Sequence, residues 1–232
     1  MTRVAIHQPN YVPWAGYFHK LAHCDVFIFL DDAQFPKNSF VNRVKTRGDG
    51  APGWLTIPAK PKLGTPIHAV VPGQADWPAR HLDRLRNDYR KARHFSAIWP
   101  VLEQVYADLP GDNLCAANVT LIQVLAEKLG LNPEYRLAST IPNQEEKRSD
   151  DRLIDLVREV GGDIYLSGKG GANYQSPEKF EVSGIALEMT AFSPAPYDQG
   201  GLPFEAGLSI LDVLFHTGWD GAASYIRNHA DS

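Results

Sequence analysis

A histidine and two aspartates each follow an apolar stretch near the amino terminus. His7 ends the run VAIH, and Asp31 and Asp32 end the run VFIFLDD. An imidazole titrates near neutrality, so His7 is a candidate general base that either aspartate would orient. We predict that these three residues are catalytic. The alternatives are a neutral core histidine bonded to a backbone carbonyl, and aspartates that hold a metal, accept a substrate hydroxyl or cap the next element.

The loops around these residues carry amide, cationic and aromatic side chains. Arg43 offers a planar fork, and Asn42 beside it offers donors, for a phosphate or a carboxylate. The ring of Trp14 would line a pocket by stacking. We predict that substrate contacts come from Gln8, Asn10, Trp14, Gln34, Asn42 and Arg43. The competing interpretations are a solvated loop for the polar residues and a core position for the tryptophan.

A glycine-rich segment, SGKGGANYQ at residues 167–175, is a second candidate site. Glycines allow backbone N–H groups to converge on an anion, and Lys169 adds a point charge, so the segment would hold a phosphate or a carboxylate. It matches neither GxxxxGK[ST] nor GxGxxG, and such segments also serve simply as tight turns.

The surrounding pattern predicts how these residues are positioned. The first stretch reads as strand, short helix and second strand, and strand, helix and strand alternate again after residue 134. In open α/β sheets the carboxyl ends of parallel strands form the ligand site, so both groups of candidates are expected at one edge. Residues 77–130 have helical periodicity and predict a helical layer or insertion. We predict a single α/β domain over residues 1–232, Rossmann-like, with a mostly parallel sheet and helices on both faces.

The composition of the chain restricts the classes of binding partner that are expected. The net charge of −4 gives no field that would draw the chain onto nucleic acid or an anionic membrane. No run of about 18 apolar residues and no signal-peptide core is present, so we expect a cytoplasmic protein without a membrane span. The two cysteines predict neither a disulfide nor a zinc site, and His19 and His23 lack a third metal ligand. The pattern names no cofactor.

Four segments together resemble the WbqC-like protein family: HQPNYVPWAGYFHKLAHCDVFIFLDDAQFPKNSFVNR, WLTIP, DIYLSGKGGANY and LSILDVLFHTG. They follow in order over nearly the whole chain. The resemblance implies a bacterial surface-polysaccharide pathway, such as O-antigen synthesis, or a natural-product pathway. It also adds Lys20, Ser167, Gly168 and Tyr174 to the candidate substrate-binding residues and supports the positions above.

The opening also resembles nucleotidylyltransferase-type folds, in which a His-x-Gly-His motif opens the first helix. Gly16 matches the glycine, but Trp14 and Tyr17 occupy the histidine positions and supply no cation for a phosphoryl group. Three functions follow as alternatives: a transferase that modifies an activated or amino sugar by acyl or aminoacyl transfer to an amine, a non-catalytic module that binds a nucleotide sugar or a partner enzyme, and a nucleotidylyltransferase. The expected ligands are a small-molecule substrate such as a nucleotide-activated sugar, and an acyl donor.

Overall fold

The computed structural model describes residues 1–48, 50–142, 149–173 and 175–227. Its strands are β1 (Arg3–His7), β2 (Val26–Phe29), β3 (Arg43–Thr46), β4 (Gly53–Thr56), β5 (Glu134–Leu137), β6 (Ile164–Ser167) and β7 (Ala186–Met189). Its helices are α1 (Ala15–Ala22), α2 (Trp77–Tyr89), α3 (Phe95–Ala107), α4 (Leu114–Lys128), α5 (Ser149–Glu159), α6 (Pro177–Val182) and α7 (Ile210–Arg227). No described helix has the length and apolar character needed to cross a bilayer.

A five-stranded parallel sheet in the order β5-β2-β1-β6-β7 forms the centre of the fold. The chain runs outward from β1 through β2 to β5 and then crosses back to β6 on the other side of β1. The strand order therefore reverses between β1 and β6, which is where open α/β sheets place their ligands. The predicted Rossmann-like α/β class is confirmed.

Both faces of the sheet are covered by helices, which explains why the strands read as continuous apolar runs. On one face, Ala5, Phe27 and Phe29 join a core that also contains apolar residues of α1, α4 and α7. On the other face, Val4 and Ile28 pack with residues of α5 and α6. Alternate residues of one strand thus point into two separate cores.

The region predicted as a helical layer contains α2, α3 and α4. Helix α2 contacts α3, and α3 contacts both α4 and α7, so these helices pack as a layer on the first core. Beside them, β3 and β4 form an antiparallel hairpin that is separate from the main sheet.

The sequence of residues 67–71, IHAVV, is compatible with a short strand, but the structure does not form one there. Ile67–Ala69 is a short 3-10 helix. Its backbone N–H groups bind the segment after β2 instead of a strand, with Ile67 N donating to Ala33 O and His68 N to Asp31 O. The sequence predicts two short helices at LSILDVLFHTG and WDGAASYIRNHA, and helical geometry in Ile210–Arg227 does break at Gly218, where φ is 75°.

Candidate functional site

His7 and Gly168 lie side by side at the carboxyl edge of the sheet. Strands β1 and β6 pair with Ala5 opposite Leu166, and continuing this register brings His7 opposite Gly168. The two regions that the sequence singled out therefore meet where the strand order reverses. The edge between β1 and β6 is the candidate site.

Lys20 of α1 points its ammonium group at this edge. Its Nζ would lie 3.7 Å from a Cβ atom built on Gly168. The residue is only 5% exposed, and within the described ranges no side chain or carbonyl forms a hydrogen bond or ion pair with it. Burial lowers the pKa of Lys20 to about 8. A buried cation without a partner is costly, so the position is suited to an anionic group of a ligand.

His7 is held as a neutral imidazole. Its Nδ1 lies 3.1 Å from the carbonyl of Gln8, and its ring packs against Tyr17 with 4.8 Å between the ring centroids. Burial and, second, the charge of Lys20 lower the pKa of His7 to about 3. Because the carbonyl accepts only from a protonated Nδ1, Nε2 keeps its lone pair. The ring can accept a proton or a hydrogen bond through Nε2.

Asp31 does not orient His7, which corrects the pairing expected from the sequence. Its carboxylate is 1% exposed and accepts hydrogen bonds from Ser139 N at 2.9 Å and from Ser139 Oγ at 2.6 Å. His68 Nδ1 approaches it to 3.9 Å. These contacts tie the end of β2 to the segment that follows β5, on the side of β2 away from β1.

Asp32 is also engaged elsewhere. It forms an ion pair with Arg152 of α5. Asp32 Oδ1 and Arg152 Nε are both buried and have no hydrogen-bond partner among the residues that the structure describes. The pair links the end of β2 to the helix that leads into β6, so neither predicted carboxylate contacts the imidazole of His7.

Trp14 and Gly16 fit together at the start of α1. Trp14 is 38% exposed and packs edge-on against Phe192. A Cβ atom on Gly16 would lie 2.3 Å from the indole ring, so the glycine is required by the tryptophan. This explains the glycine without a phosphate.

The other predicted binding residues occupy different places. The backbone carbonyl of Gln8 accepts a hydrogen bond from the hydroxyl of Tyr17. Asn10 is buried in the same loop. Gln34 forms an isolated bridge with Pro66. In the hairpin, Asn42 Nδ2 donates to Ile57 O, and the guanidinium of Arg43 lies 4.2 Å from the ring centroid of Trp54.

The glycine-rich segment turns tightly after β6. Lys169–Asn173 is a 3-10 helix, Lys169 is exposed, and Ser167 is buried. A Cβ on Gly171 would lie 2.3 Å from Ser167 Oγ and 2.5 Å from Gln175 Oε1, so the turn requires glycine there. Tyr174 lies outside the described residues. The buried cation at this edge is thus Lys20, whereas Lys169 faces solvent.

Sequence reasoning missed the residues that hold the loop after β1. Asn118 of α4 is fully buried and donates from Nδ2 to the carbonyls of Pro9 and Val41. Ser209 Oγ donates to the carbonyl of Val12, whose φ of 37° is strained for a β-branched residue. Two features of the sequence could have indicated them. Asn118 is a polar residue on the apolar face of a predicted helix, and Ser209 lies in the segment LSILD.

Comparison with known proteins agrees with the resemblance seen in the sequence. A protein of Mycobacterium tuberculosis (strain ATCC 25618 / H37Rv), described as uncharacterized protein Rv1507c, is 31% identical over 234 residues, covering 98% of each chain. No solved structure matches significantly. The model of the WbqC-like protein family matches residues 8–224, nearly the whole chain. This protein therefore belongs to the WbqC-like protein family.

Proposed function

We propose that the protein is a transferase that modifies an activated or amino sugar by acyl or aminoacyl transfer to an amine, in bacterial surface-polysaccharide or natural-product biosynthesis. The observation that carries this proposal is Lys20, a buried cation beside Gly168 that has no hydrogen-bond or ion-pair partner among the described residues, at the edge where the strand order reverses. Phosphate and carboxylate groups of activated donors match that cation.

Proton transfer falls to His7. The amine nitrogen forms the new bond to the acyl carbon, and Nε2 takes the proton that this nitrogen loses. The bond between the acyl carbon and the leaving group breaks with its electron pair, and the leaving group then accepts the proton from His7. Each turnover therefore restores the neutral imidazole.

Ligand binding and proton transfer are coupled in this arrangement. The charge of Lys20 is the second cause of the low pKa of His7, after burial. An anion bound to Lys20 offsets that repulsion, so the imidazole becomes a stronger base when the donor is in place. In this scheme Asp31 and Asp32 support the loops and do not touch the reacting atoms.

Turnover of a panel of sugar nucleotides and amino sugars with acyl donors tests the proposal. We expect Lys20→Met and His7→Ala to lose at least about tenfold in kcat/KM, since one ionic contact or one general base is commonly worth that much. Lys169→Met is the matched control, because it removes an exposed lysine from the same edge. Equal rates in wild type and both site variants would refute the mechanism.

A second candidate function is a non-catalytic module that binds a nucleotide sugar. It is favoured by the very low pKa of His7 and by the absence of a carboxylate contact to its ring among the described residues. Binding of panel members that depends on Lys20, with no product formed under any donor and acceptor pair, would support this alternative.

Nucleotidylyl transfer has weaker support. It would use Lys20 and Arg43 as the cations, and the guanidinium of Arg43 already lies over Trp54. Tyr17, at the second histidine position of the related motif, is buried with its hydroxyl donating to Gln8 O. Release of pyrophosphate from a nucleoside triphosphate would decide in its favour.

A further inference from the structure

A second concave surface lies between the β3–β4 hairpin and helix α2. This hairpin cleft has a volume of about 300 Å³ and is lined by Trp54, Leu55, Thr56, Pro58, Gln74, Trp77, Arg80, His81 and Arg84. Most of these residues are outside the segments that form the sheet edge. The cleft is distinct from the site at Lys20, and the proposed function does not use it.

The hairpin exposes two large aromatic rings at this place. Trp54 is 42% exposed and Phe40 is 53% exposed, and their ring centroids are 5.9 Å apart. One exposed ring is ordinary, but two adjacent exposed rings form an apolar patch, and such a patch beside a cleft is typical of an interaction surface. A flat aromatic face is best covered by another planar ring.

Positive charge is concentrated around the same indole. Arg80 and Arg84 line the cleft, while Arg43 and Lys45 lie over the ring of Trp54, with Lys45 Nζ at 5.9 Å from its centroid. The acidic partners are Asp88, bound by Arg84, and Glu205, near Lys45. Among the described residues, the side chains that line the cleft or lie over the indole thus include four cations and no acid, on a chain whose net charge is −4.

The back of the cleft is neutral. His81 is buried, with Nε2 3.0 Å from the carbonyl of Thr56 and Nδ1 2.7 Å from the hydroxyl of Tyr11. Burial is the main cause that lowers the pKa of His81 to about 4. The attraction for anions therefore comes from the arginines at the rim. Arg80 donates one hydrogen bond from its guanidinium to Gln74 Oε1, and the residue is exposed to solvent.

We infer that the hairpin cleft binds a nucleoside phosphate, with the base against the part of the Trp54 ring that Arg43 leaves exposed and the phosphate between Arg80 and Arg84. The volume is near the lower limit for ligand pockets, which suits one planar ring and its phosphate. Arginine forks match phosphate oxygens, and indole faces stack on any base. The small concave shape favours this ligand over an extended acidic protein surface.

Binding of ADP and UDP to the full-length protein, measured by calorimetry, tests the inference. Trp54→Leu and Arg80→Gln are each expected to weaken binding about tenfold, the effect of losing one base stack or one phosphate contact. Arg86→Gln is the matched control. It lies on the same helix, but its guanidinium is over Trp99 and outside the cleft. Its affinity should equal that of the wild type.

Three results would overturn the inference. The first is that neither nucleotide binds. The second is that inorganic pyrophosphate binds as tightly as ADP with no effect of Trp54→Leu, because the cleft would then be a plain anion site. The third is that an acidic peptide, and not a nucleotide, depends on Trp54 and Arg80. Lys20→Met separates the two proposals, since it should leave binding in the cleft unchanged while it lowers kcat/KM for transfer by at least about tenfold.

Discussion

The ammonium group of Lys20 lowers the proton affinity of the His7 imidazole across the edge between β1 and β6. Lys20 is buried and His7 is half-buried, and the charge of Lys20 is second only to burial among the causes that lower the pKa of His7 to about 3. The two residues come from a helix and a strand that are separated by one loop, so a single short segment of chain supplies both. A donor anion that neutralises one of them changes the chemistry of the other.

Removing the charge of Lys20 should raise the pKa of His7. In Lys20→Met the repulsion disappears while burial remains, so the pKa should rise above about 3 and stay below the ordinary histidine value of 6.5. NMR titration of the His7 ring measures this shift. Lys169→Met should leave the curve in place, and a curve that is also unchanged in Lys20→Met would show that the two groups are not coupled.

The same substitution should stabilise the protein. Folding lowers the pKa of Lys20 from 10.5 to about 8, so the unfolded chain binds the extra proton and stability rises with pH between those values. Below pH 8 the charged lysine costs roughly 3 kcal/mol, which Lys20→Met should recover. Urea unfolding of the variant and the wild type measures the difference in their free energies of unfolding. This difference should be large at pH 7 and much smaller at pH 10. A variant less stable than wild type at pH 7 would contradict a buried, unpartnered cation.

Asp31 should prove to be a structural residue. Asp31→Asn keeps the shape but weakens both hydrogen bonds from Ser139, so we expect a loss of about 1–3 kcal/mol in the free energy of unfolding, the usual range for bonds to a charged group. Asp151→Asn, at an exposed ion pair with Lys179, should change it little. A loss of transfer activity in Asp31→Asn at unchanged stability would instead return this carboxylate to the reaction.

Gly16 should tolerate alanine only if the tryptophan is shortened. The new Cβ in Gly16→Ala meets the indole ring of Trp14, which is 2.3 Å from its position, so the helix start has to shift and stability should fall by about 1–3 kcal/mol. The double variant Trp14→Leu, Gly16→Ala should lose much less free energy of unfolding than the two single variants lose together. Thermal unfolding of the three variants measures the coupling. Additive losses would mean that the ring moves aside freely.

The strands and their shared edge were predictable because apolar runs and parallel pairing follow from local pattern. His7 and Gly168 were placed together by this logic, although 161 residues separate them in the sequence. The partners of the aspartates were not predictable in the same way. Ser139 lies 108 residues from Asp31 and reaches it only because β5 pairs with β2, and no pattern in the sequence marks that order.

Lys20 and Lys169 show a second limit of the sequence. A lysine in a glycine-rich segment looks like an anion-binding residue, and a lysine on a short helix looks solvated. The structure reverses the two, since Lys20 is only 5% exposed and its Nζ lies near Gly168, while Lys169 stands on an exposed turn. Burial of a charged side chain depends on what covers it, and the segment beside Lys20 is 148 residues away in the sequence.

Hydrogen bonds from Asn118 and Ser209 hold the loop after β1 in place. The N–H of Ile210 adds a third, to the carbonyl of Pro13. During synthesis this loop leaves the ribosome well before the residues that hold it, since Asn118 follows Pro9 by 109 residues and Ser209 follows Val12 by 197. Nascent chains that stop before Ser209 would carry every amino-terminal candidate residue but would lack the hydrogen bonds from Ser209 and Ile210. Full ordering of the candidate edge therefore waits for the start of α7.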